Sequence, residues 1–276
     1  TRKESSAASD VYKRQVPEFA AHALKGLDVA MPACTGTISY RGEDAVNEDI
    51  SNLKAATQKV SASDAFISAA SPGVIHILEN QFYPSEDAYI EALAEGMRSE
   101  LEAIHQAGFL LQIDSPDLAM GRHVGHKVLE VGEFRKQVAK RVEIINHATR
   151  NIPADRLRVH LCWGNYEGPH NHDVPLTDIV DLIFGLRAQA LLFEGANPRH
   201  AHEWRVFEEV TIPQDKVLVP GVIDTCTNYV EHPELVAERI VRFANIVGRE
   251  RVIAGTDCGF ALSLIHISEP TRQEAI

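Results

Sequence analysis

The sequence has no long hydrophobic run: nothing in it approaches the roughly 20 consecutive apolar residues that cross a bilayer, and no segment is expected to act as a signal peptide. Basic residues are also in deficit. Against 39 Asp and Glu there are 27 Lys and Arg, giving a net charge of −12 with no basic stripe or block. A nucleic-acid partner is therefore not expected, because nothing would neutralise its phosphates. Cysteine is scarce. The four cysteines (Cys34, Cys162, Cys226 and Cys258) lie far apart and never form a CxxC pair, which argues against a disulfide framework and against a small zinc knuckle. No GxGxxG turn follows an apolar run, so the dinucleotide-binding form of an open sheet lacks its signature. A reducing cytoplasm is the expected setting.

What is present is a chain of 276 residues, 45% hydrophobic, enough to bury a barrel-sized core. Strand-like runs alternate with helical periodicity. The strand candidates are VIHILE (74–79), GFLLQID (108–114), VHLCW (159–163), ALLFE (190–194), LVPGVID (218–224) and RVIAGTD (251–257), with GTISYRG (36–42) as an earlier hairpin or extra strand. Helical spacing runs through 85–108, 133–151, 175–189 and 232–250. A strand-to-strand spacing of about 30–45 residues is that of repeated βα units. The fold expected is α/β, a TIM (β/α)8 barrel with its chemistry on the rim after the strands; an open doubly wound sheet is the alternative.

Potential metal ligands stand at the ends of these runs. On a strand, residues i and i+2 point the same way, so His160 and Cys162 in RVHLCWG can converge on one ion. Glu194 ends ALLFE and Cys258 follows RVIAGTD. A His/Cys/Glu/Cys set suits tetrahedral zinc. Two thiolates and a carboxylate leave the Zn²⁺ shell net negative, poor for ionising water but well matched to a thiolate that must stay nucleophilic. Asp114 ends another rim strand and is a candidate for substrate binding and catalysis. Asp224 and Asn228 are candidates to line the pocket. His170 and His172 are rival metal ligands, a general acid (His170 in the first place), or polar rim residues. His200 and His202 either orient ligands or pack. Cys226 and Cys34 read as fillers, and Trp163 and Tyr166 as pocket walls or core.

Both ends look foreign. SSAASDVYKRQ (5–15) and LSLIHISEPTR (262–272) translate from the two opposite adapters of a transposase-type sequencing library, which share an inverted repeat, AGATGTGTATAAGAGACAG and its reverse complement CTGTCTCTTATACACATCT. The expected division is a non-native tail at 1–15, a native core at 16–261 and a second non-native tail at 262–276. The core would then be an incomplete barrel, short of its first strands and its closing segment and, by itself, inactive.

The core carries a resemblance. SPGVIHILENQFYPS (71–85), AGFLLQIDSPDLAM (107–120), VHLCWGNYEGPH (159–170), LLFEGANPRHAHEW (191–204), PGVIDTCTNYVEHPELVAERI (220–240) and VIAGTDCGF (252–260) resemble the catalytic barrel of the cobalamin-independent methionine synthase superfamily. The similarity is greatest to its compact branch, which includes epoxyalkane–coenzyme M transferase. The resemblance implies zinc held by His160, Cys162, Glu194 and Cys258 and a substrate thiol activated as a thiolate. It also implies that Asp114 binds the amino group of a homocysteine-like thiol. The donor would be a methyl-folate, or an epoxide if the thiol is coenzyme M. A zinc hydrolase and a purely structural zinc protein are the other classes weighed.

Overall fold

The computed structural model describes residues 32–124, 128–165, 170–227 and 229–260. The two tails expected to be non-native, 1–15 and 262–276, and the candidates Asn228 and Tyr166 lie outside the described residues.

Five strands form one parallel sheet: β2 (Phe66–Ala70), β4 (Leu110–Asp114), β5 (Leu157–His160), β6 (Ala190–Phe193) and β7 (Val217–Pro220), in that spatial order. Residues 251–255 continue the arc beyond β7 through isolated parallel bridges, Leu218 to Val252 and Gly221 to Gly255. A separate two-stranded ribbon joins β1 (Ala33–Cys34) to β3 (Glu79–Asn80). Sequence order equals spatial order through the sheet, so each connection steps to the adjacent strand, as in an arc of a (β/α) barrel.

Four long helices accompany it: α1 (Glu43–Thr57), α2 (Glu86–Gln106), α3 (Val131–Ala148) and α4 (Pro233–Val247). Helix α2 starts where the Ser85 hydroxyl accepts the Ala88 N–H at 3.1 Å, with Glu86 and Asp87 complementing the positive end of its dipole. Its buried stripe is Tyr89, Ile90, Leu93, Ala94, Leu101 and Ile104. Of that stripe, Ile90, Ala94, Leu101 and Ile104 join Leu111, Ile113, Val159, Leu191, Phe193 and Leu218 of the sheet and Phe134, Val138 and Phe243 of α3 and α4 in one core. Each fully buried Leu, Ile or Phe contributes about 1.5–3 kcal/mol. On β6, Leu191 and Phe193 face this core, whereas Ala190 and Leu192 face a much smaller cluster with Val219. Both faces of the strand are therefore dry, the usual condition of a parallel sheet.

The structure corrects several sequence expectations. Residues 74–79 do not form a strand: Pro72–Ile75 is a helical turn, because Pro72 presets its first position and the Ser71 side chain accepts the Val74 N–H. Only Glu79 and Asn80 are extended into a ladder. GTISYRG (36–42) contains no strand. The expected helix over 175–189 shortens to a 3₁₀ turn, Leu176–Asp178, and one α turn, Val180–Ile183. There Asn146 of α3 takes over the next polar groups, donating to the Gly185 carbonyl and accepting the Arg187 N–H. Two elements had gone unassigned, β2 in the weakly apolar FISAA and the mostly polar α1, which buries only Val46 and Ile50.

At the rim the backbones approach very closely. A Cβ on Gly221 would collide with the Asp257 carboxylate and come within 2.7 Å of the Asp257 backbone, and one on Gly195 would stand 3.0 Å from the Gly221 carbonyl. Gly221→Ala is expected to lower folding stability by about 1–3 kcal/mol, in the range of overpacked cores, read as a lower denaturant midpoint. An unchanged midpoint would show that the rim yields freely.

Candidate active site

Parallel register builds the first half of the site. Asp114 and His160 are directly paired across β4 and β5, the last residue of each strand. Their side chains meet, His160 Nδ1 to Asp114 Oδ1 at 2.6 Å, while His160 Nε2 faces the Asp257 carbonyl at 3.1 Å. Two residues on, Cys162 points to the same region. Cys258 arrives from the far edge of the arc. Donor atoms of His160, Cys162 and Cys258 all lie within 4.8 Å of one another, the convergence expected of ligands for one ion. Glu194 is not within that set. Its carboxylate accepts the Trp163 backbone N–H at 2.7 Å and the Asn197 amide at 2.6 Å, with the Arg199 guanidinium 4.0 Å away.

The electrostatics of the triad follow from burial. Cys162 donates to Cys258; that bond, and then burial, push the Cys162 thiol well above the usual range. Cys258 is lowered, first by accepting that hydrogen bond and then, against burial, by the His160 ring. Burial opposes the charged His160, but the Asp114 hydrogen bond and the Cys258 charge outweigh it and raise the ring to about 9. Without a cation, Cys258 is the sulfur of the pair that gives up its proton more readily, beside a His160 ring raised to about 9. Burial likewise pushes Glu194 up.

Asp257, adjacent to Cys258, is the residue whose role sequence reading missed. Its Oδ1 accepts the N–H groups of Gly195 and Ala196 at 2.8 and 2.9 Å. Its Oδ2 accepts the Asn197 N–H and side-chain amide, both at 2.8 Å. Burial pushes this carboxyl up against the pull of those donors. The two glycines that let the backbones meet, Gly195 in FEGAN and Gly221 in PGV, were the available signal.

The remaining candidates fall elsewhere. Asp224 turns back on its own loop, Oδ1 accepting the Cys226 N–H at 2.8 Å. Cys226, read as a filler, donates to Asn165 Oδ1 at 2.6 Å. His170 does not join the thiol set. It meets Asp173 Oδ2 at 2.8 Å, and His200 Nε2 meets the same oxygen at 3.0 Å. Between the two groups stands the buried Trp163 indole, stacked on the His200 ring at 4.0 Å between centroids. No described helix is long and apolar enough to cross a membrane.

Comparison with known proteins places this geometry. The family model for the catalytic domain of cobalamin-independent synthase matches residues 32–267. The methionine synthase of Pyrococcus horikoshii is 27% identical over 184 residues, covering 66% of this chain and 46% of that protein. The 5-methyltetrahydropteroyltriglutamate–homocysteine methyltransferase of Vibrio harveyi is 23% identical over 183 residues, covering 64% of this chain and 22% of that one. The chain thus spans less than half the length of these curated relatives. A B12-independent methionine synthase from a Shewanella species, solved in complex with selenomethionine, superposes with a TM-score of 0.62 at 17% identity. That superposition covers 83% of this chain and 67% of that one, and at such identity the likeness is one of fold.

The buried rings set opposite pH limits on stability. His200 is pushed down by burial but lifted further by Asp173 and Glu203, to about 9, so its contribution is complete below pH 6.5 and lost as pH rises through 9. Burial holds His123 down, at about 4, so its neutral ring favours folding above pH 6.5 and disfavours it as pH falls toward 4. With a chelator present, the melting temperature is expected to peak near pH 6.5 and decline on both sides. A melting temperature that climbs steadily from there to pH 9 would contradict the charge assigned to His200.

Proposed function

The chain belongs to the family of cobalamin-independent synthase catalytic domains, and on that footing we propose that it is a zinc-dependent thiol methyltransferase domain. Its acceptor is homocysteine and its donor a 5-methyltetrahydrofolate of the pteroylglutamate type. The observation that carries this reading is the meeting of His160, Cys162 and Cys258 beside Asp114 at the strand ends. Two sulfurs and one imidazole nitrogen are the soft and borderline donors that zinc prefers. Their buried, proton-sharing state is what a divalent cation would resolve.

His160, Cys162 and Cys258 would hold the ion, with Glu194 as the fourth ligand. Bound there, zinc would supply the positive charge that keeps a substrate thiol as its nucleophilic thiolate near neutral pH. The chain's own groups do the rest. Asp114 fixes the His160 ring through one oxygen, and its side chain is 50% exposed, so the carboxylate can also receive the ammonium group of an amino-acid thiol. Trp163 and Asn197 hold the Glu194 carboxylate in place through their N–H donors. A pocket-lining role for Asp224 rests on its place after β7, while Asn228 lies outside the described residues. Proton transfer to the departing folate is assigned to none of the described residues, because the His170 ring is buried against Asp173. The free thiols suit a reducing, cytoplasmic setting. Epoxide opening by coenzyme M finds no support among the relatives.

Zinc added to the metal-free protein at pH 7.5 is expected to release protons, from His160 and Cys162 in the first place, as ligands must bind deprotonated. Cys162→Ser should lower zinc affinity at least tenfold. Methyl transfer from methyltetrahydrofolate to homocysteine, but not to coenzyme M, is expected in a full-length relative carrying the same rim residues, and Asp114→Asn there should raise KM for homocysteine. Zinc binding without proton release, or equal rates with both thiols, would overturn the reading.

A further inference from the structure

A second set of metal-ligand side chains lies across Trp163 from the thiol triad. Donor atoms of His170, Asp173 and His200 all lie within 4.8 Å of one another. Asp173 Oδ2 is shared by His170 Nδ1 and His200 Nε2, at 2.8 and 3.0 Å. All three side chains are at least nine-tenths buried. Two ligands of one tetrahedral ion, each about 2.0–2.1 Å from it, stand about 3.3 Å apart, so this spacing is already close to that of a coordination shell.

The orientation of His200 adds to this. Its Nδ1 meets Glu203 Oε2 at 2.8 Å, and the other Glu203 oxygen accepts the Leu176 backbone N–H at 2.6 Å. A carboxylate pinned by backbone thus fixes one ring nitrogen and aims the other inward, the arrangement that typically supports a metal-bound imidazole.

The independent observation is His123. Its ring is fully buried, and neither nitrogen makes a hydrogen bond of good geometry among the described residues, the His172 backbone being a nearby acceptor besides Asp173. Nδ1 stands 3.9 Å from Asp173 Oδ1, itself a buried oxygen without a partner. A buried polar atom left unpaired is destabilising, and here two face each other at a distance too long for a hydrogen bond. One cation between them would satisfy both. It would also take over from the His200 proton the task of balancing the two carboxylates, Asp173 and Glu203, buried around that ring.

We propose that His170, Asp173 and His200, completed by His123, form a second site for a divalent first-row transition metal, separate from the cysteine-bearing one. Its donors are nitrogen and oxygen only, which suits zinc, cobalt, nickel or ferrous iron rather than the softer ions that thiolates select. An ion there would lock His200, on which Trp163 stacks, and Trp163 in turn donates to Glu194. The second site would thus act as a brace for the first.

The test is a Co²⁺ titration of the full, metal-stripped chain under reducing, oxygen-free conditions, counting ions retained after desalting. Two equivalents are expected. One should show the intense ultraviolet bands of cobalt–thiolate charge transfer, and the other only weak visible bands. Asp173→Asn and His200→Gln should each drop the count to one and leave the charge-transfer bands in place. The double variant Cys162→Ser, Cys258→Ser should retain one equivalent without those bands. Should the buried variants fail to fold, the unmodified chain still decides the matter. Saturation at a single thiolate-bound equivalent, or at none, overturns the second site and leaves His200 holding a proton. A single equivalent without charge transfer would support the second site and count against the thiol site instead.

Discussion

The Asp257 carboxylate is the interaction on which the rim depends. Residues 251–257 join the sheet through only two isolated bridges, so ladder pairing alone holds them weakly. Asp257 supplies what the ladder lacks by accepting three consecutive backbone N–H groups from Gly195, Ala196 and Asn197. Its own N–H donates to the Ile223 carbonyl and its own carbonyl faces His160. One residue thereby joins the segments that follow β5, β6 and β7, and Cys258 is delivered as its next neighbour in the chain. Arg239 of α4 reinforces the junction from outside, donating to the carbonyls of Val222 and Ala196 and pairing with Glu231.

The strand ends were legible in the sequence because they obey local rules. Period-two geometry alone places His160 and Cys162 on one side, and apolar runs closing in Asp114 and Glu194 mark where strands meet the rim. The structure keeps β4, β5, β6 and β7 close to those runs. What escaped the sequence depends on contacts from distant residues. FISAA has little intrinsic strand character and becomes β2 through its ladder with β4. The run at 74–79 looks extended until Ser71 and Pro72 start a helical turn ahead of it. The roles of Asp173 and Asp257 could not be read locally, since their carboxylates take partners 27 and 62 positions away.

The two side-chain clusters share a wall. Trp163 follows Cys162 directly, gives its backbone N–H to Glu194, stacks its ring on His200 and donates its indole N–H to the Val174 carbonyl at 2.6 Å. Rigid packing of one aromatic side chain thus places a carboxylate on one side and an imidazole on the other. The sequence suggested only that this tryptophan was core or pocket wall. In the structure it is core, fully buried, with its backbone N–H on Glu194 and its ring on His200.

The distance along the chain between His160 and Asp257, 97 positions, has a consequence in time. Contacts of such separation form only after the intervening chain has been made and ordered. His160 and Cys162 emerge from synthesis with β5, whereas Asp257 and Cys258 follow only after β6, β7 and α4. Until that last segment docks, the Cys162 thiol has neither its sulfur neighbour nor its full cover, and the set of His160, Cys162 and Cys258 lacks its third member. Assembly of the site therefore marks the completion of the arc, and a nascent chain stalled before residue 257 carries His160 and Cys162 without the cysteine that joins them.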